Sequence, residues 1–242
     1  MDYENMHTLK SRLGNYDAGS WLDIAVGRGD FLKFAMRAFR TWKSIAGIDI
    51  DPQSLQIAAK VFSNSSVILI QGSALNLPFT NGYFDTVTMS NALHHIESLP
   101  PLFTETGRVC HARGLIVINE MLNESHSLLQ ESYMLYHRFS AELDNQLGHF
   151  HREPFTLKEL LSLIKNSGFD MIEYFIHEET TGDYLNRDET EAMSERLRKK
   201  VQLLRGSDYY YFYENKSREI ISRLANTGVH RPRHIAFILR PA

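Results

Sequence analysis

The segment Trp21-Leu22-Asp23-Ile24-Ala25-Val26-Gly27-Arg28-Gly29-Asp30 runs from an apolar stretch through a tight turn of small residues into a helical pattern that opens with Phe31, Phe34 and Ala35. Small residues at 25, 27 and 29 let the backbone approach a ligand closely. The turn is not the G-x-G-x-x-G of a dinucleotide site, in which pyrophosphate rests on a helix N-terminus. Asp23, just before the turn, would repel a phosphate and attract a cation.

Outward from this turn, short β-rich runs alternate with helical patterns, which predicts an α/β fold with a mostly parallel sheet. Strands are expected at 21–24, 45–50, 67–70, 84–89 and 115–118. Asp51 and Pro52 suit the N-cap and first position of a helix that buries Leu55, Ala58, Ala59 and Phe62. Right-handed crossovers bring the carboxyl ends of the strands to one edge, where open α/β sheets bind ligands. Further on, Thr156 and Glu159 form a capping-box pattern ahead of a Leu157, Leu160, Leu161, Ile164 stripe that ends at Gly168. Strands follow at 171–176 and 234–239. The expected organisation is one domain over 1–242: a ligand-binding core at 17–121, a helical insertion at 122–155, a core helix and strand at 156–181, a second helical insertion at 182–228 and a final strand at 229–242. Both insertions are expected to cover the ligand edge.

The 242 residues are 43% hydrophobic and 23% charged, the balance of a globular protein. Twenty-six Lys and Arg against 29 Asp and Glu leave a net charge of −3, which does not predict a general polyanion binder. Cys110 is the only cysteine, so neither an intrachain disulfide nor a Cys-rich zinc site is available. The first twenty residues hold no apolar signal core, and the runs at 67–70 and 115–118 are too short to span a bilayer. A cytoplasmic protein without a membrane partner is expected.

With these segments in order, the sequence resembles the class I S-adenosylmethionine-dependent methyltransferases. Asp23, Ala25, Gly27 and Gly29 match the family's first motif, although Ala25 stands where glycine is commoner, which requires that residue to avoid positive φ. Gly47-Ile48-Asp49-Ile50-Asp51 is similar to the second motif. Gln71-Gly72-Ser73-Ala74-Leu75-Asn76-Leu77-Pro78-Phe79 is similar to the third, with Ser73 in place of a frequent aspartate. Phe84 to Ile96, with Ser90 and Asn91 at its centre, follows the fourth-strand segment of the small-molecule branch, and Gly107 to Gly114 sits where the family turns into its fifth strand. The resemblance implies a Rossmann-like, doubly wound sheet of seven strands with the last antiparallel. It also implies S-adenosyl-L-methionine as cofactor, held by Asp23, Ala25, Gly27, Gly29, Asp49, Ile50, Ser73, Ala74, Ser90 and Asn91. Asp23 would take the ammonium, turn N–H groups the carboxylate, Asp49 the ribose hydroxyls and Ile50 the adenine.

The implied reaction is methyl transfer to oxygen, nitrogen or carbon of a small organic acceptor, in the branch that contains quinone-biosynthesis enzymes. A tRNA-modifying enzyme and a non-catalytic cofactor-binding module are the alternatives. No Asp/Asn-Pro-Pro-aromatic tetrad follows the fourth strand, which disfavours methylation of nucleic-acid bases. His94, His95 and Glu120 fall near the expected methyl position and are the candidates for base and acceptor-orienting groups. His137, His149 and His151, in the first insertion, are read as contacts for a polar acceptor. His149 and His151 with Asp144 also offer metal-ligand chemistry, but in no recognised spacing, so no metal is expected. Cys110 is read as packing, and the Arg196, Arg198, Lys199, Lys200 run as a solvated helix face with a Glu195–Lys199 pair. Most of Tyr209–Tyr213 is read as core, with one or two rings facing the pocket.

Overall fold

The computed structural model describes residues 5–178 and 187–242. Residues 1–4, and the junction at 179–186 between the expected core strand and the second insertion, lie outside the described residues. In chain order the elements are α1 (Asn5–Leu13), β1 (Ser20–Ile24), α2 (Asp30–Ala38), β2 (Ser44–Asp49), α3 (Pro52–Val61), β3 (Val67–Gln71), β4 (Phe84–Ser90), α4 (Leu99–Val109), β5 (Cys110–Met121), α5 (Leu128–Gln146), α6 (Leu157–Lys165), β6 (Phe169–His177), α7 (Arg187–Leu203), α8 (Tyr210–Thr227) and β7 (His234–Pro241). The seven strands form one sheet in the order β3-β2-β1-β4-β5-β7-β6, and β7 runs antiparallel to both of its neighbours. This is the doubly wound sheet with an antiparallel last strand expected above. The order reverses between β1 and β4, so their carboxyl ends diverge and open a crevice there.

Alternation along the central strands divides the interior into two layers. Leu22 and Ile24 of β1 face one side, with Leu102 and Phe103 of α4 and Leu160 of α6. Trp21 faces the other, with Leu13 of α1, Leu32 and Ala35 of α2 and Phe62 beyond α3. A third apolar cluster lies away from the sheet, where Phe139 and Leu143 of α5 pack on Met193, Leu197 and Val201 of α7 and on Tyr213 and Leu224 of α8. Met193, Leu197 and Val201, spaced four residues apart, form the buried face of α7. The capping box at Thr156 and Glu159 is formed, as is the Asp51 cap, which accepts from the N–H groups of Gln53 and Ser54.

Several details differ from the expectation. Ala59 is exposed, so α3 buries a narrower face made by Ala58 and Phe62 with Leu55 half-buried. There is no separate turn at 107–114: α4 ends at Val109 and β5 starts at Cys110. Residues 111–113 bulge outward, and the ladder jumps from Phe84–Cys110 to Thr86–Leu115. In the aromatic run only Tyr213 is buried. Tyr209, Tyr211 and Phe212 face outward because the α8 surface that packs inward is narrow.

Gly29 caps α2 at φ 87°, and a Cβ there would run into the Phe62 ring, whereas a Cβ on Gly27 (φ 53°) would meet nothing closer than 3.9 Å. Gly29→Ala is therefore expected to destabilise the protein by about 2–3 kcal/mol, combining positive φ with a clash, and Gly27→Ala by only about 1 kcal/mol. Thermal unfolding of the two variants checks the order.

Candidate active site

A cleft of about 1510 Å³ runs along the carboxyl edge, from Gly72 and Ser73 beyond β3 to His177 at the end of β6. It exceeds the roughly 300–1,000 Å³ of a typical small-molecule pocket, so a nucleoside-sized cofactor leaves room for a second ligand. The end of α5 and the loop after it (Asp144, Leu147, His149, Phe150) and α7 (Lys200, Leu203) wall it on the side away from the sheet.

Asp23, Ala25, Gly27, Asp49, Ile50, Ser73, Ala74, Ser90 and Asn91 all line this cleft, while Gly29 stands behind it as the cap of α2. The Asp49 carboxylate accepts from the Gly27 N–H at 2.7 Å and from the Asp51 N–H at 2.9 Å, which ties the end of β2 to the turn after β1. Ala25 adopts φ 55°, contrary to the expectation that an alanine there avoids the left-handed region. Asn91, the residue just after β4, adopts φ 50°. The two strained residues flank the crevice, and the chain must bend sharply there for its backbone to face a ligand. Asp23 is buried and accepts a hydrogen bond from the Thr88 hydroxyl, which in turn accepts from the Trp21 indole at 2.8 Å. Burial, reinforced by nearby Asp49 and only partly offset by Thr88, pushes Asp23 up to about 7. Among the described residues no cationic side chain pairs with it, so an incoming ammonium would complete it. Ile50 is 71% exposed on the lip, an apolar surface ready to cover a flat ring. The Ser73 hydroxyl accepts from the Leu75 N–H at 3.1 Å.

The histidines divide. His95 and His149 face the cleft, joined there by His177 and His234. His94, His137, His151 and Glu120 do not line it, which corrects their placement at the acceptor. Glu120 is fully buried. It accepts from the N–H groups of Ala92 and Leu93 at 2.7 and 2.8 Å and bonds the His94 ring at 2.9 Å, so it holds the 3₁₀ turn Leu93–His95 rather than a substrate. His151 bonds Asp144 at 2.7 Å, and Asp144 also receives Lys200. Burial opposes ionisation of Asp144, but His151 and Lys200 outweigh it and hold the carboxyl below its usual range. Lys200 is thus taken out of the solvated face expected for it, and Arg198 rather than Lys199 bridges to Glu195.

Burial, with His94, His151, His137 and Lys200 nearby, holds His95 below the usual histidine range even though it opens onto the cleft. His177 is pushed down to about 4 by burial, and His234 to about 3 by burial and by His177. His177 bonds Asn119 at 2.7 Å and stacks on His234 at 5.7 Å. Sequence reading missed this pair. His234 starts its strand, and only the reversal of β7, which sets it opposite Met121, carries it to the carboxyl edge.

Comparison with known proteins agrees with this geometry. Residues 22–118 match the family model described as a methyltransferase domain. Demethylmenaquinone methyltransferase of Bacillus licheniformis is 28% identical over 165 residues, 63% of this chain and 71% of that protein. The Staphylococcus aureus enzyme of that name is 29% identical over 127 residues, so the chain spans about half of its length (53%), with 52% of this chain covered. Phosphoethanolamine N-methyltransferase 2 of Haemonchus contortus, solved with S-adenosyl-L-methionine, shares the fold at a TM-score of 0.55 and 19% identity over 97% of this chain and 51% of that one. Over residues 22–118 and in its sheet order the chain is similar to the class I S-adenosylmethionine-dependent methyltransferases. Within that class its curated likeness is to the quinone-biosynthesis branch. Among the described residues no helix is long and apolar enough to cross a membrane.

Two outcomes follow. Cofactor affinity is expected to rise with pH between about 5.5 and 8, with release of up to one proton on binding, because Asp23 is partly protonated until the ammonium arrives. Calorimetry in buffers of different ionisation enthalpy reads that proton, and Asp23→Asn should abolish the dependence. Glu120→Ala leaves two N–H groups and an imidazole unpaired and is expected to cost about 3 kcal/mol in a denaturant melt, with Glu120→Gln retaining part of it.

Proposed function

We propose that this methyltransferase alkylates oxygen, nitrogen or carbon of a small organic acceptor, in the cytoplasm, by in-line displacement at the sulfonium carbon. The acceptor's lone pair or carbanion forms the new bond to carbon, the S–C bond breaks, and the sulfonium leaves as a neutral thioether. The observation that carries the reading is the two-part cleft. One end carries the cofactor residues, and the other, at β4, β5, β7 and β6, is lined by Asn91, Asn119, His95, His177 and His234. Asp23 would hold the cofactor ammonium, Asp49 the ribose hydroxyls, and Ile50 with Ala74 the adenine. His95 and His149 would meet the acceptor.

The imidazoles of His95, His177 and His234 are held below the usual histidine range, so they supply hydrogen bonds without themselves setting a positive charge beside the sulfonium. Alignment and exclusion of water then account for most of the acceleration, with proton removal needed only for an O–H or N–H acceptor. The likeness to demethylmenaquinone methyltransferases supports a small acceptor. The helix that carries the basic run favours it over RNA, since Arg198 is held by Glu191 and Glu195, and Lys200 by Asp144.

The experiment is turnover with S-adenosyl-L-methionine against a panel of phenols, hydroquinones, carboxylates and amines, read as S-adenosyl-L-homocysteine formed and methyl gained. Asp49→Ala is expected to lose cofactor binding. For a protonated acceptor, His95→Asn is expected to lower kcat by about 10²-fold with cofactor affinity kept. Methylation of RNA alone would replace this reading with RNA modification, and tight cofactor binding with no turnover on any acceptor would replace it with a binding module.

A further inference from the structure

Behind the cleft wall, three histidines from separate parts of the chain converge. His94 comes from the 3₁₀ turn after β4, His137 from the middle of α5 and His151 from the loop before α6. They are 2%, 8% and 5% exposed, and one ring nitrogen from each lies within 4.8 Å of the other two. His137 Nδ1 and His151 Nε2 have no hydrogen-bond partner. A buried polar nitrogen left unsatisfied costs about 1–3 kcal/mol, and two in one cluster call for a common partner.

Two of the three rings are already engaged on their outer side. His94 Nδ1 bonds Glu120 and His151 Nδ1 bonds Asp144, which leaves the Nε2 of each ring for the centre. A carboxylate behind an imidazole is how metal-ligating histidines are held in tautomer and orientation.

We propose that His94, His137 and His151 bind a first-row divalent cation of the zinc or ferrous type, with Glu120 and Asp144 as the carboxylates that orient two of the rings. Three neutral nitrogen donors with no ligating carboxylate suit these ions and not magnesium or calcium. Nitrogen ligands of a tetrahedral zinc stand about 3.4 Å apart, so the rings need to close by roughly an ångström. Three protein ligands leave a fourth coordination position, as in metal sites that keep an open place. The set differs from the one the spacing offered: His149 faces the cleft, and Asp144 stands behind His151 rather than beside it. The site binds α5 and the following loop to the end of β4. The ring of His95, which opens onto the cleft, lies 4.0 Å from that of His151, so the ion would fix one wall of the acceptor end.

The test uses the full chain, stripped with a chelator and titrated with cobalt(II). One equivalent per chain with the intense visible bands of a four-coordinate ion is expected, together with displacement by zinc and a higher Tm on loading but not with magnesium. His137→Ala and His151→Ala are expected to lose binding, Asp144→Asn to weaken it about 10–100-fold, and His149→Ala to leave cobalt affinity unchanged. S-adenosyl-L-methionine binding by each variant reports that it is folded. Absence of cobalt bands in the wild-type chain overturns the proposal whatever the variants do, and so does equal uptake by a folded His137→Ala/His151→Ala double variant.

Discussion

The Glu120 carboxylate is the point on which the β4–β5 end of the cleft depends. It sits at the end of β5 with no exposure to solvent, where an ionised group is tolerated only when its lone pairs are met by donors. The donors are two backbone N–H groups and the His94 ring, all from the segment that follows β4. Meeting them curls that segment into a 3₁₀ turn, and the turn decides that His94 points back into the protein while His95 points into the cleft. Two adjacent histidines with nearly the same sequence context thus have opposite surroundings.

The other end of the cleft is ordered by a second carboxylate economy. Asp49 holds the backbone of the Gly27 turn, and Asp23 is buried beside Thr88 with no cationic partner among the described residues. Toward β6 and β7, burial keeps His177 and His234 below the usual histidine range, and Lys200 is paired with Asp144.

Much of this was legible in the residues. Short apolar runs located each of the seven strands, though β5 begins five residues before its expected start; β1 and β4 were the plainest because central parallel strands are buried on both faces. The capping residues Asp51 and Thr156 marked helix starts because they satisfy local N–H groups, and local bonds are written in local sequence. The residues expected at the cofactor, Gly29 apart, were legible as cleft residues for the same reason: they lie within a few positions of strand ends, so strand order alone delivers them to one edge. The roles of Glu120, His137 and His151 were not legible. A carboxylate or an imidazole near a strand end or in a helix carries no mark of whether its partners are solvent, substrate or a buried backbone N–H from far along the chain.

By itself the sequence determined the fold class, the cofactor turn and the residues that face it, since these depend on short-range pattern and on which edge the strands share. Tertiary structure alone decided that Ala25 accepts a left-handed conformation, that the reversed β7 brings His234 beside His177, and that His94, His137 and His151 meet in one buried place. Each of these follows from long-range packing, in which the cost of a strained residue or a desolvated polar group is offset by contacts made between segments distant in sequence.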